Sequence, residues 1–138
     1  MSWNKCIDKL VEQAEGNCDQ GCIFSFDNGD MWTSGPKHLE ITPADAKVIS
    51  EKWKDPKAMV DHYGLLNGIT ALTVAGGHYR LLRADDQVAH FIDKEKGKID
   101  MQKTKMAIVA AHTPQDRNPD KTLKAVVAFG DYVTNNGY

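Results

Sequence analysis

Five histidines, three cysteines and one pair of adjacent carboxylates offer this chain its most obvious chemistry. His38, His62, His78, His90 and His112 are scattered, without the spacing of a metal-ligand set. Cys18 and Cys22 stand four apart, but no further Cys or His follows closely enough to complete a four-ligand zinc site. With Cys6 the cysteine count is odd, so not all can pair within one chain, and reduced thiols are expected. Asp85-Asp86 has the composition of an acid–base dyad, yet it follows Leu81-Leu82-Arg83 as a solvated turn would and has no second constellation. His112 closes a predicted strand, a natural place for a hydrogen-bonded structural imidazole. The phosphate-binding loop Gly-x-x-x-x-Gly-Lys-Ser/Thr, the Gly-x-Gly-x-x-Gly fingerprint, the Gly-x-Ser-x-Gly elbow and His-Glu-x-x-His are all missing. With no catalytic set, metal set or cofactor cradle in the sequence, a binding protein is expected rather than an enzyme, with no cofactor.

Another kind of chemistry gathers at the two ends. Trp3 stands in the first turn of a predicted N-terminal helix; Tyr132 and Tyr138 stand at the end of a predicted C-terminal one. If those helices pack side by side the three rings converge, and Trp32 on an early strand completes the group. A shallow trough of indole and phenol faces suits a proline-rich ligand. Polyproline II is already extended, so docking it costs little chain entropy. Proline rings stack on flat aromatic faces, while indole N–H and tyrosine O–H donate to the ligand's free carbonyls. Aromatics that only staple frayed ends read identically in sequence, so the packing of the helices decides.

The elements that must position these rings follow from periodicity and caps. Ser2 is an N-cap candidate, and Trp3, Ile7, Leu10, Val11 and Ala14 form one helical stripe that Gly16-Asn17 ends. Cys22 to Phe26 reads as a strand, Asp27–Asp30 as a turn and Met31-Trp32-Thr33 as the returning strand. Thr42-Pro43-Ala44-Asp45 begins a helix that buries Val48, Ile49 and Trp53 and stops at Asp55-Pro56. Ile69–Val74, Tyr79–Leu82, Val88–Ile92, Ile99–Met101 and Met106–Ala111 are short apolar runs too close together for crossover helices, so their sheet is antiparallel. Asn118-Pro119 opens a last helix with Leu123, Val126, Val127, Gly130 and Val133 on one stripe, ending at Asn135-Asn136-Gly137. The class is α+β, a central antiparallel sheet with helices packed on its faces.

Composition agrees. A length of 138 residues with 41% hydrophobic and 26% charged positions suits one globular domain, 1–138, with no internal repeat or linker. Seventeen basic against nineteen acidic residues give a net charge of −2, too little positive charge for a nucleic-acid binder. No apolar run approaches the ~20 residues of a membrane span, and the first residues lack an apolar signal segment; a cytoplasmic protein is expected.

In order along the chain, the following motifs resemble the profilins, small actin-monomer-binding proteins: Ser2-Trp3; Asp30-Met31-Trp32-Thr33-Ser34-Gly35; Thr42-Pro43-Ala44-Asp45; Ala71-Leu72-Thr73-Val74-Ala75-Gly76-Gly77; Leu81-Leu82-Arg83-Ala84-Asp85-Asp86; Lys103-Thr104-Lys105; and Gly130-Asp131-Tyr132-Val133 with Tyr138. Each is weak alone; the ordered set, spanning nearly the whole chain, is specific. The resemblance implies that both terminal helices share one face of the sheet and shorter helices cover the other. It implies two partner surfaces. The proline-rich groove takes Trp3, Trp32, Tyr132 and Tyr138, with Cys6 where the family usually has a tyrosine; a thiol offers less stacking area, so binding weakens there. The actin surface takes His78, Arg80, Leu81, Arg83, Lys98, Arg117, Asn118, Asp120, Lys124, Val127 and Ala128. Lys124 and Arg83 match the family by residue type. Asp120 replaces a common glycine, and Val127-Ala128 an aromatic and an acid, changes that bear on affinity.

The implied partners are monomeric actin, proline-rich proteins such as formin-type elongation factors, and phosphoinositide lipids through Arg80, Arg83, Lys98, Lys103 and Lys105. The implied mechanism is steric and allosteric: covering one end of a monomer blocks its addition to a filament, and preference for an opened cleft speeds nucleotide exchange. The alternatives are a divergent profilin-like adaptor that binds proline-rich partners with little actin affinity, and a small-ligand sensor or enzyme on a similar sheet, which would need an apolar internal cavity.

Overall fold

The computed structural model describes residues 3–64, 70–74 and 76–138. Ten elements follow in order: α1 Trp3–Gln13, β1 Gln20–Ser25, α2 Pro43–Lys52, α3 Pro56–Tyr63, β2 Leu72–Val74, β3 Gly77–Ala84, β4 Val88–Asp93, β5 Gly97–Lys103, β6 Ala107–Thr113 and α4 Pro119–Asn135. The strands form one sheet in the order β1-β6-β5-β4-β3-β2, every neighbouring pair antiparallel. The expected Ser2 cap and the Ile69 end of the expected strand lie outside the described residues.

Three helices start on one device. Thr42, Asp55 and Asn118 each accept a hydrogen bond from a first-turn backbone N–H through the side chain, and each precedes a proline in the first turn. Asp55-Pro56 is thus a start as well as the expected stop. It opens α3, which sequence reading passed over because proline both terminates one helix and begins the next. The expected return strand at Met31–Thr33 is a second correction. It makes a single bridge, Phe24 to Met31, and is otherwise tied to β1 by Trp32 N–H donating to Ile23 O at 2.9 Å and Ile23 N–H donating to Thr33 Oγ1 at 3.1 Å.

Side chains alternate across each strand, and that separates two cores. On one face Ile23, Val109 and Ala111 pack with Ile7, Leu10, Val126, Phe129 and Val133 of α1 and α4. On the other, Phe24, Ile108, Phe91, Ile99 and Met101 pack with Ile49, Trp53, Met59 and Tyr63 of and around α2 and α3. Terminal helices on one face and short helices on the other is the arrangement expected. Cys18 belongs to the first core and Cys22 to the second; all three cysteines are buried and none is in a disulfide, and burial pushes the Cys18 thiol up to about 11. Among the described residues no helix is long and apolar enough to cross a membrane.

Candidate functional site

The two ends of the chain meet. Trp3 opens α1, Trp32 sits on the segment tied to β1, and Tyr138 follows α4. Their ring centroids lie 5.2 Å apart (Trp3–Trp32), 5.0 Å (Trp3–Tyr138) and 6.0 Å (Trp32–Tyr138), tilted or edge-on, the geometry aromatic quadrupoles favour. The three rings line an open hollow of about 350 Å³, within the range of ligand sites. None is sealed in: both indoles are half-buried and Tyr138 keeps 37% of its surface. Asn4 clamps the two indole-bearing segments, its Oδ1 accepting from Ser34 N–H at 2.8 Å and its amide donating to Ser34 Oγ at 3.4 Å.

A second surface lies where α4 leaves the sheet uncovered. Leu82, Arg83, His90, Lys98, Asp100, Asp120 and Leu123 surround one hollow; Ile92, Lys98, Thr113, Arg117 and Pro119 border the next; Gly76, His78, Arg80, Ile92 and the β4–β5 turn border a third. Lys98 and Ile92 are each shared between neighbours, so the hollows run together as one face. Asp120, Leu123, Lys124, Val127 and Ala128 recur at offsets 0, 3, 4, 7 and 8 along the adjoining flank of α4. Seventeen helical residues at 1.5 Å each put about 25 Å between this flank's start and the aromatic shelf.

Comparison with known proteins places this architecture. The family model described as Profilin matches residues 1–138. The chain belongs to the profilin family. It is 30% identical to a profilin of Clypeaster japonicus, covering 99% of each chain. Among solved structures, Acanthamoeba castellanii profilin IB superposes with a TM-score of 0.80 at 23% identity, over 99% of this chain and 100% of that one. Mouse profilin IIa in complex with a double repeat from the FH1 domain of mDia1 gives 0.74 at 16% identity, over all of both chains. LokiProfilin2, in its complex with rabbit actin, gives 0.69 at 20%, over 95% and 94%.

Within this profilin fold, two of the sequence-derived binding positions are buried in the cores. Cys6 is 3% exposed and belongs to the core with Ile7 and Leu10, because position 6 shares the sheet-facing side of α1 with Leu10 one turn on. It presents no surface to a ligand. Leu81 is 2% exposed and packs beside Phe91, its cross-strand partner. The pairing jumps from Leu81–Phe91 to Arg83–His90, so Leu82 is an extra, bulged residue. That bulge turns both Leu82 and Arg83 outward, and Leu82, 46% exposed, holds the surface position expected of Leu81. Tyr132, expected to converge with Trp3 and Tyr138, does not line the hollow: it is 44% exposed at the end of α4, and its ring meets Phe129 at 5.6 Å.

Other positions separate by role. Asn118 caps α4, donating its own N–H to Asn17 Oδ1 at 3.0 Å, and Arg117 Nη1 donates to Gly16 O; both knit α4 to the end of α1. Lys103 lies on the opposite side of the sheet from Arg83 and Lys98, its Nζ 4.9 Å from the Phe26 ring centre and 5.6 Å from that of Trp53, so the five basic residues do not form one patch. Asp85 Oδ1 accepts from Gln87 and Val88 N–H, both at 2.8 Å; those bonds hold its carboxyl below the usual range and identify Asp85-Asp86 as a turn. His112 is structural. Its Nδ1 lies 2.6 Å from Asp19 Oδ1 and its Nε2 2.8 Å from Lys96 O, two acceptors that only the imidazolium satisfies together. Burial pushes its pKa down, but the bond and charge of Asp19 outweigh that and leave it raised. Among the described residues no group of three or more His, Cys, Asp or Glu is placed to hold a metal.

Proposed function

We propose that this profilin binds monomeric actin through the sheet face around Arg83 and Lys98 and the α4 flank that carries Lys124, and binds proline-rich segments on the Trp3–Trp32–Tyr138 shelf. The observation that carries the reading is the shelf itself: three mutually touching aromatic rings, half-exposed, assembled from both ends of a profilin chain. Flat faces with indole and phenol donors match the rings and free carbonyls of polyproline II. The complexes of mouse profilin IIa with an FH1 repeat and of LokiProfilin2 with actin support the two partner classes. Asp120 and Leu82 belong to the actin contact in this reading, and Leu81 does not.

Covering one end of the monomer blocks its addition to the matching filament end, and preference for an opened actin cleft speeds nucleotide exchange. Because the actin flank of α4 begins about 25 Å from the shelf and stops at Ala128, about 10 Å short of the helix end, both are open to occupation at once, so a proline-rich elongation factor raises the local concentration of loaded monomers. Retention on immobilised poly-L-proline with co-elution of actin tests both halves. Trp3→Ala is expected to lose retention and keep actin; Lys124→Ala is expected to do the reverse with an unchanged melting temperature. A chain that is retained but leaves actin polymerisation untouched refutes the actin half.

A further inference from the structure

Tyr138 stands beyond α4, where a residue ordinarily frays, yet it forms one wall of the shelf. Two features hold it. On the helix side, Gly137 takes the left-handed conformation at φ 90°, Gly137 N–H donates to Thr134 O at 3.0 Å and Tyr138 N–H donates to Val133 O at 3.1 Å, a Schellman close. On the sheet side, the β5–β6 turn reaches across. Met106 N–H donates to Tyr138 O at 2.5 Å, and the Thr104 hydroxyl, whose one proton lies between Tyr138 O at 2.9 Å and Ala107 O at 3.1 Å, donates to the nearer, Tyr138 O. Two donors thus converge on one main-chain oxygen. Thr104 is itself held, 9% exposed, with its Oγ1 accepting from Ala107 N–H at 2.9 Å.

We infer that Thr104 is a positioning residue of the proline-rich-peptide site: its hydroxyl, with the Met106 N–H, latches Tyr138 against Trp3 and Trp32 before any ligand arrives. The inference rests on the shelf reading above. Thr104 touches no part of the hollow, whose walls are Trp3, Trp32 and Tyr138. Its contribution is to remove an ordering cost that the ligand would otherwise meet in immobilising an aromatic side chain beyond the helix end.

Thr104→Val keeps the side-chain shape and removes the donor; Thr104→Ser restores it. Thr104→Val is expected to weaken binding of a poly-L-proline peptide by about two- to tenfold, the range for ordering one side chain. It is also expected to reduce the near-ultraviolet circular dichroism of the free chain, which reports the packed rings, while leaving actin affinity unchanged. Thr104→Ser is expected to return both signals. Hydrogen exchange on the unmodified chain needs no variant: the Met106 amide is expected to be protected, and further slowed by bound peptide. Wild-type affinity and an unchanged aromatic spectrum in Thr104→Val, or an unprotected Met106 amide, overturn the latch. A wild-type chain that ignores poly-L-proline overturns the shelf reading instead, and the aromatic spectrum still reports whether Tyr138 has moved.

Discussion

Replacing Gly130 with alanine sets two known effects against each other in the helix that serves both surfaces. In a helix interior alanine is more favourable than glycine by about 1 kcal/mol. Here the added Cβ would lie 2.5 Å from Gln102 Cγ and 3.4 Å from its Cβ, closer than side chains tolerate. Gln102 has little room to retreat: it is 7% exposed beneath α4, and its amide donates to Gln87 Oε1 at 3.3 Å and Lys103 O at 3.4 Å. Overpacking of this kind costs about 1–3 kcal/mol, so Gly130→Ala is expected to be net destabilising by about 1 kcal/mol, a fall of roughly 3 °C in Tm. Gln102→Ala removes the obstacle. In that background the same glycine replacement is expected to stabilise, with a coupling of about 1–3 kcal/mol across the cycle. Urea unfolding of the four proteins measures it. If Gly130→Ala alone raises stability, or if the effects add without coupling, then α4 does not depend on this close approach for its seat on β5.

Three further outcomes follow from the same structure. Leu81→Ala should cost about 2–5 kcal/mol as a core truncation, whereas Leu82→Ala should change stability by no more than about 0.5 kcal/mol and instead weaken actin binding; the reverse pattern would place the bulge in the wrong register. The His112 pKa is raised by folding, so its contribution is fully present below the ordinary value of 6.5 and lost as pH rises through the folded value. Stability should therefore fall as pH rises from about 6.5 through the raised folded value, and Asp19→Asn should flatten that dependence; an unchanged slope in unfolding experiments would contradict the imidazolium assignment. Gly137→Ala forces a side chain into the left-handed region, at a cost of about 1–2 kcal/mol, and should weaken poly-L-proline binding in titrations without altering actin affinity.

Local signals in this sequence are strong where one residue type answers one local demand. Thr42 and Asn118, each followed by proline, announce their helices; Gly137 announces the close of α4; the close spacing of the apolar runs between Leu72 and Ala111 excludes crossover helices. Those features are enough to specify an antiparallel sheet flanked along the chain by two terminal helices; the meeting of Trp3 with Tyr138 was decided by how those helices pack. The sequence alone determined that much because caps, turns and periodicity depend on neighbours within a few residues.

Position across the sheet depended on more distant partners. A single bulged residue at Leu82 exchanges which leucine faces the core, and nothing in Leu81-Leu82-Arg83 itself marks it. Cys6 is buried because α1 rolls that side onto β1 and β6, and Lys103 parts from Arg83 because β5 alternates faces. The grip of Thr104 on a main-chain oxygen 34 residues away arises only when the β5–β6 turn and the end of α4 come together. Bulges, helix roll and long-range hydrogen bonds are settled by close packing between distant segments, and only the folded chain brings those segments into contact.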